Sequence, residues 1–238
     1  MSENDNNKIL NITYIAKNAI WFHKILQTMN TIQKLRYNKT ILPSLSIIIS
    51  RKLSLIQVLK DQINLEMKEI NKILKENIKE VENCINKNYT FSFGREVYLI
   101  YRIISYIEAT LIEMKSAADL IIRYISRFYL HIFLERKGEK LVTEELKDNK
   151  INIEFKYELN HLRRGFIHHY SGWISFKKQN NSFKPIIELP KSVKKFKDYE
   201  KFPYVSLDVE KINDILKNFY KFNDESFGFL IKKIQKLA

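Results

Sequence analysis

The segment Asn160-His161-Leu162-Arg163-Arg164-Gly165-Phe166-Ile167-His168-His169-Tyr170 holds three of the five histidines and two arginines of this chain. Arginine grips a phosphate through its planar fork of donors and steadies developing charge. Histidine exchanges a proton near neutral pH. Set beside a basic surface, the two residue types suit phosphodiester chemistry. Phe155, Leu159, Leu162 and Phe166 form an apolar stripe at helical spacing and define a buried side. His161, Arg164 and His168, at i, i+3 and i+7, face away from it, and Arg163 lies on the flank. The C-terminus of a helix also favours histidine through its dipole alone, which gives His168 and His169 a structural reading beside the catalytic one.

Other chemistries fit poorly. There is no H-E-x-x-H pattern to set two histidines and a general base around a zinc ion. A hydrolase elbow and a glycine-rich phosphate loop are both missing. The single cysteine, Cys84, excludes an internal disulfide and a Cys-rich metal site. It shares an apolar helix face with Val81 and Ile85, as a packed thiol would.

With 41 basic and 27 acidic residues, the net charge is +14, which makes a polyanion a plausible partner. A chain so rich in Lys, Ile and Asn acquires part of that charge from composition alone. The basic stretch containing Lys191, Lys194, Lys195 and Lys197 is the candidate polyanion-binding loop.

The elements that must position these residues are mostly helical. Five glycines and four prolines in 238 residues are too few for the many turns of an all-β fold. The expected class is all-α, a bundle of long helices with a small β-hairpin insertion after the motif helix. Apolar periodicity predicts a helix over 8–36 and a second from Pro43 to about Asn86. A third is expected over 95–136, stopping at Lys137-Gly138. Residues 139–152 are expected to form a loop with a short helical turn, and 153–170 the motif helix. The period then changes: Trp173-Ile174-Ser175-Phe176 and Pro185-Ile186-Ile187-Glu188-Leu189 suggest a hairpin with Pro185 on an edge strand. Ser206 is expected to cap a last helical region that Asn223-Asp224 breaks in two. This makes a single helical domain over 1–238. Its core is expected at about 44–172, the hairpin and basic loop at 173–205 and the C-terminal helices at 206–238.

The N-terminus is polar and acidic, unlike a secretory signal. Residues 97–134 read as the most apolar long segment. They carry Arg102, Glu108, Glu113, Lys115, Asp119, Arg123 and Arg127, which indicates an amphipathic helix rather than a membrane span. A cytoplasmic protein with no membrane partner is expected.

The stretch from Leu162 to Tyr170 resembles the R-x4-H signature of the HEPN superfamily (higher eukaryotes and prokaryotes nucleotide-binding). Arg163, His168 and Tyr170 match the narrower R-x4-H-x-Y form of HEPN toxins that pair with nucleotidyltransferase antitoxins. Nine Arg, five His and 13 Tyr in 238 residues would give roughly 0.2 R-x4-H pairs by chance; adding the Tyr lowers this to roughly 0.01. Tyr170 therefore carries most of the specificity. Arg164 stands where the family often has Asn, and this chain is longer than the small toxins.

The resemblance implies a HEPN-like helical bundle and a metal-independent endoribonuclease without cofactor, belonging to a toxin or antiviral-defence system. His168 would act as general acid or base, and Arg163 would hold the scissile phosphate. Arg164 would add a phosphate contact, and Asp119 or Glu113 could orient the arginine. Tyr170 would correspond to the tyrosine that partner transferases modify with nucleotide. The implied partners are RNA, a second copy of the chain and a nucleotidyltransferase-type antitoxin. Five residues of regular helix separate Arg163 from His168 by about 140°. They can converge only through a distortion near Gly165 or across two chains. The alternatives are a non-catalytic HEPN-like RNA- or nucleotide-binding module, or a helical protein-interaction module using the arm over 44–88.

Overall fold

The structure, a computed structural model, describes residues 21–87, 97–168, 173–179, 182–190, 204–207 and 209–237. It is mostly helical. Helices α1 (Trp21–Thr28) and α2 (Thr31–Asn38) replace the described part of the continuous helix expected over 8–36; the rest of that expectation lies outside the described residues. The break is a capping box. Gln33 N donates to Asn30 Oδ1 at 2.9 Å, and Asn30 N donates to Gln33 Oε1 at 3.0 Å.

Helix α3 (Leu42–Glu76) has Pro43 in its first turn, where the missing N–H costs nothing. It ends at Asn77, whose backbone N and side-chain Nδ2 both donate to Ile73 O. Helix α4 (Ile78–Asn86) follows, so the single helix expected from Pro43 to Asn86 is divided at Asn77. An 18-residue window of α3 reaches a mean hydropathy of 1.4, so α3 rather than 97–134 is long and apolar enough to cross a membrane by length and composition alone. Buried core helices pass the same test. Here 44% of the window is buried, and Lys52 is paired to Glu113 on the neighbouring helix at 2.6 Å.

That neighbour is α5 (Val97–Phe128), along which α3, α6, α7 and α8 all pack. Ile103, Ile107, Leu111, Met114, Ala117, Ala118, Ile121 and Ile125 of α5 are buried. A π-helical turn, Tyr129–Phe133, continues it, and Leu134 at φ 59° ends it in the left-handed region. The expected stop at Lys137-Gly138 is thus overtaken: Gly138 takes an extended conformation and caps the start of α6 (Glu139–Asp148). This ten-residue helix replaces the expected loop because Val142 and Leu146, at i and i+4, are both buried. Tyr129 Oη donates to both carboxylate oxygens of Glu145 at 2.8 and 2.7 Å, and Glu145 pairs with Lys137 and Lys233, each at 2.7 Å. The π-turn, α6 and the C-terminal helix are joined there.

Helix α7 (Phe155–His168) buries Phe155, Leu159 and Leu162. Strands β1 (Trp173–Gln179), β2 (Ser182–Pro190) and β3 (Tyr204–Leu207) form an antiparallel sheet in the order β1-β2-β3. Strand β2 is therefore central, not an edge. Pro185 lies opposite Phe176, outside the stretch from Ile187 to Pro190 that β3 pairs, so β3 requires no N–H from it. Ile187 and Leu207 face one another in the register, and both are buried in the helical core. Ser206 lies in β3 opposite Glu188 rather than capping a helix.

Helix α8 (Val209–Gln235) runs unbroken through Asn223-Asp224. Asn223 is 1% exposed, and its Oδ1 accepts from the Trp21 indole Nε1 at 3.2 Å. An asparagine on the surface would favour a turn; this one is held in helix by a partner 202 residues away. One apolar cluster extends from Trp21 to Ile234.

The Trp21–Asn223 contact makes Asn223→Ala informative. Truncation leaves a buried indole N–H unpaired, and urea unfolding should show a loss of about 1–3 kcal/mol.

Candidate functional site

Helix α7 stays helical through Gly165 to His168. The distortion that would let Arg163 and His168 converge within one chain is therefore not present, and on this helix the two positions lie about 140° apart. Arg163 is partly buried, and its Nε is enclosed with no hydrogen-bond partner among the described residues. His161 is exposed. His168 closes the helix, but its side chain lies outside the described residues, as do those of Arg164 and Phe166. Tyr170, Lys191, Lys194, Lys195 and Lys197 also lie outside them.

Two stripes follow from the register of α7. Lys156, Asn160 and Arg163 stand at i, i+4 and i+7 on one line, from which Lys156 reaches Asp119 of α5. The positions of Tyr157, His161, Arg164 and His168 fall on an adjacent line. Eleven residue steps, about 16 Å of helix, separate the first from the last. Both Tyr157 and His161 are exposed.

The acidic candidates have other partners. Glu113 pairs with Lys52 of α3. Asp119 pairs with Lys115, one turn earlier on α5, and with Lys156 of α7 at 3.0 Å. Among the described residues, Asp119 thus holds α7 through a lysine rather than by orienting an arginine. Burial pushes the Asp119 carboxyl up, but the hydrogen bonds and charges of Lys115 and Lys156 outweigh it and leave its pKa below the usual carboxylate range. Lys156 and Asn160 were legible as neighbours of Arg163 on one line of the helix, from their seven- and three-residue spacing to it. Lys115 carried no such signal, because its position opposite α7 depends on how two helices pack.

No protein-family model matches the chain, and no curated protein or solved structure matches it. Among the described residues, no three His, Cys, Asp or Glu side chains are grouped as a metal site would require.

The lowered Asp119 pKa has a definite pH signature. A carboxyl whose folded pKa lies below its unfolded value stabilises the fold above the unfolded value and loses that contribution as pH falls through the folded one. Asp119→Asn should lower stability at pH 7 by at most about 1 kcal/mol, since the pair is partly exposed. Thermal melts should show a shift of about 2–4 °C. The gap from wild type should close progressively below about pH 4.

Proposed function

We propose that this protein is a HEPN-like, metal-independent endoribonuclease acting in a toxin or antiviral-defence setting. The observation that carries the reading is the spacing Arg163…His168…Tyr170, whose first two members occupy the last turns of a helix packed on the long helix α5. Arg163 holds the scissile phosphate and the charge that develops on it. His168 moves the proton at the RNA 2′-hydroxyl or at the leaving oxygen. Because α7 is regular, one chain does not bring the two together on one face, and the reading requires a homodimer with two motif helices facing one another. Arg164 adds a phosphate contact, and Tyr170 is the modification site for a nucleotidyltransferase-type antitoxin. Lys191, Lys194, Lys195 and Lys197 extend the positive surface along the RNA, contributing affinity rather than sequence choice. The setting is cytoplasmic, without a membrane partner.

One observation favours a second reading, a helical protein-interaction module. Ile41, Ile48 and Leu55 are spaced by seven, as are Val58 and Leu65, and all five are exposed. Apolar residues recurring every seven positions along an exposed helix are what a partner helix covers.

His168→Ala should abolish RNA cleavage and spare RNA binding, while Arg163→Ala should weaken both. Cleavage by the wild type should survive EDTA and leave a cyclic-phosphate end; a requirement for added divalent metal would refute the mechanism. For the second reading, Leu55→Glu combined with Val58→Glu changes exposed positions only. Sedimentation should then show assemblies dispersing, with no RNA cleavage by the wild type.

A further inference from the structure

A cavity of about 250 Å³ opens between α5, α6 and α7, one turn before Arg163 on α7. It is lined by Lys115, Thr143, Ile153, Lys156, Tyr157 and Asn160. Its charge is unbalanced. The side chains of Lys115 and Lys156 are only 16% and 18% exposed, and the one carboxylate they share is Asp119. Among the described residues, two cations drawn partly out of water around a single anion leave one positive charge uncompensated, a cost that a bound anion relieves. Nearby charges add little to the balance: Glu139 is engaged with Arg123, and Glu158 with Lys211. Asn160 lines the cavity and supplies both donors and an acceptor.

Tyr157 stands at the rim, 65% exposed, with the Lys147 ammonium 5.9 Å from its ring centroid. An exposed tyrosine beside lysines is the pairing that single-stranded nucleic acids use: a ring for the base and cations for the backbone. The cavity is smaller than the roughly 300–1,000 Å³ of pockets that enclose whole drug-sized ligands. It suits a phosphate, with the attached base left outside against Tyr157.

We infer that Lys115, Lys156 and Asn160 form a phosphate subsite, and Tyr157 a base-stacking platform, for a nucleotide flanking the scissile position of single-stranded RNA. This rests on the ribonuclease reading and extends it. Lys156 precedes Arg163 by seven residues, about 10 Å along α7, so the strand runs along the helix from Arg163 toward α6. The platform orients the strand and takes no part in bond breaking.

The test measures equilibrium binding of a short single-stranded RNA and of adenosine monophosphate to the full chain, its Tyr157→Ala and Lys156→Gln variants, and a Lys72→Gln control. Tyr157 is exposed, and Asp119 keeps Lys115 when Lys156 is changed, so thermal melts should show both variants folded. Tyr157→Ala should weaken RNA binding about ten-fold. Lys156→Gln should weaken it about five-fold and reduce the salt slope by about one. Lys72→Gln, on the exposed face of α3, should affect binding less than either. Wild-type affinity in both Tyr157→Ala and Lys156→Gln, with RNA cleavage intact in the parent, overturns the subsite and leaves the ribonuclease reading standing. If the parent neither binds nor cleaves RNA, that reading fails and the mononucleotide decides separately. Adenosine monophosphate binding that Tyr157→Ala abolishes supports the subsite, and absence of such binding overturns it.

Discussion

Helix α5 is wrapped. From Met114 to Phe128 most of its apolar residues are buried, on several sides at once, with α3, α6, α7 and α8 packed along it. Ala117 and Ala118 are fully buried small residues within this stretch, where neighbouring backbones can come close. Several of the charged residues that this helix carries are answered by a neighbouring helix. Glu113 is met by Lys52 of α3, Asp119 by Lys156 of α7, and Arg123 by Glu139 of α6. These pairs tie α5 to α3, α7 and α6; individually they are weak stabilisers where exposed.

Much of this was legible in the sequence. The long helices followed from apolar periodicity and from the scarcity of glycine and proline, and the burial of Phe155, Leu159 and Leu162 followed from their spacing. Three features were not. The break at Asn30 depends on Gln33 reaching back, a local pattern that a strong apolar periodicity on either side obscures. Helix α6 is polar apart from a few residues; Val142 and Leu146 commit it to helix only because the core lies beneath them. The continuity of α8 through Asn223 depends on Trp21, at the other end of the chain. In the last two cases the deciding contact lies outside the window from which the element was read.

The candidate site shows the same division. The motif on α7 was visible as residue types at fixed spacing, and its register follows directly from the helix. The acidic residues on α5 were visible only as candidates, and their partners turned on packing: Asp119 meets a lysine of α7 two turns before the motif, and Glu113 meets α3. Regular helix through Gly165 has the larger effect, since it separates the two proposed reacting residues instead of gathering them.

The π-helical turn at Tyr129–Phe133 bears on how such a chain can change in length. A π-turn holds one residue more than the α-helical turn it replaces. Removing that extra residue would return the turn to α-helical geometry and leave the register on either side nearly unchanged. The loss of one residue can therefore be taken up within the turn itself, provided Tyr129 keeps its place beside Glu145, whose carboxylate also holds Lys137 and Lys233. Length is thus adjustable here by a single residue, and the groups gathered at Glu145 decide which residue can go.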